Sequence, residues 1–162
     1  MSGPVRLWRI ASETREYRAI DLSGGGSANK PGRWNDSGEH VVYASTNLAV
    51  CVLETAAYVN PAGLPLNRFV IAIDVSASAW ASREEIDPAK IDPAWCAVPA
   101  GRASVDIGSR WYRNGRSLFL LVPSVILPEE RGVLINARHP LAPSLTATVV
   151  RPFSYHHLFR PG

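Results

Sequence analysis

"GRWNDSGEHVVYAS", Gly32 to Ser45, carries the reading of the fold. Its first half crowds Arg33, Trp34 and Asn35 after a glycine, and its second half, His40 to Ala44, is a short β-rich run. Ser45 or Thr46 can then cap a helix running from about Asn47 to Val59, which Pro61 ends. The stretch therefore predicts a strand-to-helix corner with a polar, arginine-bearing loop leading into it. Working outward, "VRLWRI" (Val5 to Ile10) alternates apolar and basic residues as a half-buried strand does, with Arg6 and Arg9 on opposite faces. "RFVIAIDV" (Arg68 to Val75) is apolar nearly throughout and reads as a strand buried on both faces. "DPAKIDPAW" permits only short helical turns, and "SVDIGSRWYRNG" predicts a helix starting after Ser104 and stopping near Asn114-Gly115. "SLFLLVPSVI" is a strand with a bend or edge at Pro123-Ser124, and "GVLINA" and "ATVVRPF" complete the strand set. Strands outnumber helices and are interrupted irregularly, so the expected class is α+β.

At 162 residues and 46% hydrophobic, the chain is expected to form one domain spanning residues 1–162, with a single core. "LSGGGSANKPG" (Leu22 to Gly32) has linker composition, but too little chain precedes it for a separate domain, so it reads as a mobile loop. The formal charge of +3 is almost wholly arginine, Lys30 and Lys90 being the only lysines. The basic residues form no run, which speaks against a nucleic-acid groove and leaves direct nucleic-acid binding unexpected. Cys51 and Cys96 make no disulfide framework, and Cys51 in its apolar segment reads as a small buried hydrophobe. The N-terminal residues lack an apolar signal core, and no segment approaches the ~18 apolar residues of a membrane span, so the expected address is the cytoplasm, with no membrane partner.

The predicted helix "NLAVCVLETAAYV" is apolar nearly all round yet carries Glu54 at its middle. A carboxylate among Val50, Cys51, Ala57 and Tyr58 needs a cation, a solvated cleft or an exposed strip of helix, and Arg33 is a reasonable partner. Arg33, following Gly32, suits a bidentate grip on a pyrophosphate, or else packs on Trp34. Tyr43 either stacks on a flat heterocycle or fills the core. Ser124 either opens its hydroxyl to a cleft or closes a turn, and nothing around it makes a hydrolase elbow or a triad. His156 and His157 are adjacent and point apart, a poor metal pair, so no metal is expected. "SGGGS" has the glycine of a phosphate loop without its lysine and hydroxyl ending.

Together, "PGRWNDSGEHVVYAS", "NLAVCVLE" and "LLVPSVILPEERGVLINARHP", with "LWRI" before them and "GSRWYRNG" between, resemble the RES domain family of bacterial toxin–antitoxin systems. The family's arginine, glutamate and serine fall on Arg33, Glu54 and Ser124. The sequence departs from the family at Gly132 and Ala137, where asparagine and proline are usual. The resemblance implies a single domain with a split, mostly antiparallel β core and flanking helices, like that of ADP-ribosyltransferases. It also implies the toxin of a type II system that cleaves NAD at the nicotinamide–ribose bond, beside a helix-turn-helix (Xre-type) antitoxin. On that reading NAD is a substrate and no metal takes part. Arg33 would bind phosphate or ribose, with Trp34 and Asn35 beside it in the binding loop. Tyr43 would stack on the nicotinamide, Glu54 would stabilise charge growing at the anomeric carbon, and Ser124 would orient Glu54 or the nicotinamide.

The acceptor names the reaction: water gives hydrolysis, phosphate gives phosphorolysis, and a cellular protein target gives ADP-ribosylation. A non-catalytic nucleotide- or RNA-binding module is the alternative, and Glu54 argues against it because a carboxylate weakens simple polyanion binding. Homo-oligomerisation is left open by the sequence.

Overall fold

The computed structural model describes residues 3–159. Seven strands form one sheet: β1 (Val5–Ser12), β2 (Val41–Ser45), β3 (Arg68–Val75), β4 (Glu84–Glu85), β5 (Phe119–Pro123), β6 (Arg131–Asn136) and β7 (Thr146–Phe153). Their order is β4-β5-β6-β2-β1-β3-β7, and every pairing is antiparallel except the short β4–β5 contact. Among the described residues four α-helices accompany them, α1 (Gly25–Asn29), α2 (Leu48–Ala56), α3 (Ala77–Ala81) and α4 (Arg102–Asn114), beside short 3₁₀ turns. This is the expected α+β architecture.

The sheet is continuous in order but not in pairing. β1 matches β3 along its whole length, whereas β1 and β2 meet only at Trp8 and Ser45. The core is accordingly split. Leu7, Ile71 and Ile73 join Phe119 and Ile135 on one side, while Trp34, Trp95 and Trp111 gather over Leu120 and Leu134 on the other. β3 lies between β1 and β7, and its run from Val70 to Ile73 is apolar because both faces are covered: Ile71 and Ile73 pack in the cluster with Leu7 and Phe119, while Val70 packs on the other face with Cys51 and Tyr155.

Most predicted elements are present, with shifted ends. Asn47, not Ser45 or Thr46, caps α2: its Oδ1 accepts from the backbone N–H groups of Ala49 (2.8 Å) and Val50 (3.3 Å). The helix ends at Ala56, short of Val59. α4 begins at Arg102, before Ser104, and Gly115 closes it in the left-handed region (φ 60°). The glycine-rich segment read as a mobile loop instead contains α1 and packs closely: a side chain on Gly25 would stand 2.6 Å from the Tyr17 hydroxyl. No helix among the described residues is long and apolar enough to cross a membrane.

Candidate active site

Where β1 and β2 part, the chain leaves a cleft of about 430 Å³. β1 contributes Arg9 and Ile10, β2 contributes Tyr43 to Ser45, α2 presents Cys51 and Glu54, and Ser124 stands just beyond the end of β5. The loop before β2 closes the wall with Lys30 to Trp34. A split sheet thus turns a run of backbone into a ligand-sized hollow, and the strand-to-helix corner carries Tyr43 and Glu54 into it together.

Glu54 is half-buried, and Ser124, 4% exposed, donates its hydroxyl to Glu54 Oε1. The direction of that bond is determined by the turn after β5. The N–H groups of Ile126 (3.2 Å) and Leu127 (3.1 Å) both donate to Ser124 Oγ, which leaves the hydroxyl proton to point at Glu54. Both sequence readings of Ser124 are therefore true at once: it closes a turn, and the turn aims it. With its oxygen engaged in this way it orients a carboxylate and is not placed as a nucleophile.

Arg33 lines the same cleft but does not pair with Glu54, contrary to the expected partnership. Its Nη1 donates to the carbonyls of Trp95 (3.0 Å) and Ala97 (2.7 Å). Tyr43 is pinned at its hydroxyl, which donates to Asn35 Oδ1 (2.7 Å) and accepts from the Trp34 N–H (3.1 Å). Burial holds that phenol well above its ordinary pKa, so it stays protonated. The tyrosine also explains Gly32, since a Cβ there would lie 2.7 Å from the Tyr43 hydroxyl.

Trp34 lines the cleft, yet its indole is buried and stacked on Trp95 with ring centroids 6.0 Å apart. Asn35 is fully buried and off the cleft wall. Its Oδ1 accepts from Gly32 N–H and the Tyr43 hydroxyl, and its Nδ2 donates to the carbonyls of Ser27, Asp36 and Glu39. Every polar atom of that amide is engaged, so Asn35 shapes the loop and has no donor left for a ligand, a different part from the NAD contact expected of it.

Arg9 was not among the residues singled out. Its Nη1 donates to the Tyr43 carbonyl (2.8 Å), while its buried Nε has no partner among the described residues. Desolvation pushes the guanidinium below its ordinary pKa. The signal was present in the strand's alternation: Arg9 shares a face with Leu7 and Ala11, both buried, so a charge stood in the core-facing register. Lys30 is a third cation on the wall, and among the described residues Glu54 is the single carboxylate there. Cys51, also on the wall, is buried, which pushes its thiol up to about 11 and disqualifies it as a thiolate at neutral pH.

The arrangement can hold an anionic ligand by Arg9, Arg33 and Lys30 and set one oriented carboxylate against a centre that becomes positive. Similar proteins place the chain in a family. A toxin of Sphingobium sp. (strain YBL2) named Prs ADP-ribosylating toxin is 46% identical over 149 residues, covering 92% of each chain. The Toxin Res of Pseudomonas putida is 33% identical over 85% of this chain and 88% of its own, and that of Yersinia enterocolitica 29% over 93% and 95%. The fold is similar to that in the crystal structure of the M. tuberculosis MbcT-MbcA toxin-antitoxin complex, with a TM-score of 0.65 at 16% identity over 92% of this chain and 85% of that one. The RES domain family model matches residues 6–156, from β1 to the turn after β7, and with relatives of this similarity along nearly the whole length the chain belongs to the RES domain family.

Proposed function

We propose that this chain is the toxin of a toxin–antitoxin pair and that it breaks the nicotinamide–ribose bond of NAD, passing ADP-ribose to an acceptor. The observation that carries the proposal is the Ser124 hydroxyl aimed at Glu54 inside a cleft whose other charged groups are cations. The diphosphate of NAD is met by Arg9, Arg33 and Lys30. Glu54 accepts a hydrogen bond from the nicotinamide ribose and stabilises the oxocarbenium-like charge as the glycosidic bond lengthens. Tyr43 offers its ring to the nicotinamide, its hydroxyl being engaged elsewhere. The leaving group is nicotinamide itself, so no metal is invoked.

For the acceptor we favour a protein, because the Sphingobium relative is named for ADP-ribosylating Prs. The partner is an antitoxin, as in the MbcT-MbcA complex, and we place it in the helix-turn-helix class that the family resemblance implies. The test is mass spectrometry of NAD incubated with the purified chain alone, with phosphate, and with Prs. We expect nicotinamide release and a mass increase on Prs. NAD left intact and protein unlabelled in all three mixtures would overturn the enzymatic reading in favour of a binding module.

A further inference from the structure

The loop bearing Arg33 is held from a direction that the chemistry of the cleft does not require. Arg33 Nη1 carries two protons, and both are directed at backbone carbonyls of one 3₁₀ turn and its exit, Trp95 and Ala97. That leaves Nε and Nη2 as the donors with no partner among the described residues. The main chain of the same residue is tied separately: Ser104, fully buried on the first turn of α4, donates its hydroxyl to the Arg33 carbonyl at 2.8 Å. One turn further along, Gly108 lets the helix lie directly against the loop, since a Cβ there would stand 1.6 Å from the Trp34 carbonyl oxygen.

We infer that Ser104 and Gly108 on α4, with the Trp95 and Ala97 carbonyls, are positioning groups that preset Arg33 so that it meets the substrate through its Nε–Nη2 edge. The inference rests on the proposed NAD chemistry for its readout but on α4 for its cause. An arginine on a loop ordinarily loses rotamer entropy on binding an anion. Here one nitrogen is already fixed before the ligand arrives, and the remaining edge is a two-donor fork of the shape that a phosphate or a ribose diol accepts. The Ser104 hydroxyl also lies 3.4 Å from the Gly101 carbonyl at the helix start, but its shorter bond is the one across to Arg33.

The test uses Ser104→Ala and Gly108→Ala in the full chain, each alone and combined with Arg33→Ala, at high enzyme concentration. Wild-type NAD turnover is measured first, so a failure of the functional reading shows there. Ser104→Ala is expected to lower kcat/KM for NAD by roughly tenfold in a protein that still folds, its melting temperature lower by roughly a few degrees for the lost buried hydrogen bond, and Gly108→Ala by more, since displacement of a positioning group by about 1 Å costs up to a hundredfold. In the Arg33→Ala background the Ser104→Ala effect should vanish, because the group being positioned is gone. Hydrogen exchange read by mass spectrometry gives a measure independent of catalysis: Ser104→Ala should raise exchange in residues 32–36. Should Gly108→Ala fail to fold, Ser104→Ala decides. Unchanged kcat/KM, an equal loss in both backgrounds, or unchanged exchange of the loop each overturns the inference.

Discussion

Replacing Glu54 by glutamine removes one charge and almost nothing else. The heavy-atom shape is kept, and the Ser124 hydroxyl, already committed as a donor, can give its proton to an amide oxygen as well as to a carboxylate. The folded state then loses the charge-assisted part of one hydrogen bond, about 1 kcal/mol. On the proposed mechanism the reaction loses far more. A carboxylate at about 4 Å from a developing cation, in a half-buried site with an effective dielectric near ~20, contributes about 4 kcal/mol. At about 1.4 kcal/mol per decade that is roughly three orders of magnitude in rate. Among the described residues no second carboxylate lines the cleft to compensate, and Arg9, Lys30 and Arg33 all oppose positive charge at the sugar. The assay is nicotinamide release at saturating NAD, with ADP-ribose affinity and melting temperature measured on the same preparation. Turnover should fall about a thousandfold while affinity holds and the melting temperature falls by only about 2–4 °C. A well-folded Glu54→Gln protein that keeps more than roughly a tenth of wild-type turnover would falsify the electrostatic role, whatever family the chain belongs to.

Arg9→Met should weaken ADP-ribose binding by roughly ten- to a hundredfold, the worth of one charge-assisted hydrogen bond, yet leave the melting temperature equal or higher, because it removes a desolvated charge that has an unpartnered Nε; calorimetry of binding beside thermal unfolding reads both, and a large loss of stability with full affinity would contradict the assignment. Cys51 should resist iodoacetamide in the folded protein at pH 8, where exposed Cys96 reacts, since the Cys51 thiol is raised from 9.0 to about 11. The sign is that of a neutral form favoured by burial: the stabilisation is present below pH 9 and is lost as pH rises through about 11, so labelling at Cys51 should appear with unfolding in that window.

Much of this protein was legible before any coordinates. Apolar runs, proline stops and the Gly115 cap are local properties, determined by residues a few positions apart, and they placed β3 to the residue and α2 and α4 to within three. Glu54 stood out for a related reason, as a charge in a nearly all-apolar helix, and the structure sets it half-buried on the cleft wall beside Ser124. Arg9 was legible in principle from the alternation of β1, but the strand pattern was read for its period and not for the charge standing in its buried register.

What the sequence determined by itself, then, was the longer elements, the fold class and the residue types available for chemistry, while α1, α3 and β4 escaped it. Only the tertiary structure decided their pairings. Ser124 and Glu54 are 70 positions apart, and Arg33 meets carbonyls 62 and 64 positions away in preference to Glu54. A guanidinium chooses among acceptors by which of them the fold brings within hydrogen-bond distance, and that distance depends on how β1 and β2 part and how α4 lies on the loop. Those are long-range packing outcomes, and no local pattern of residues encodes them.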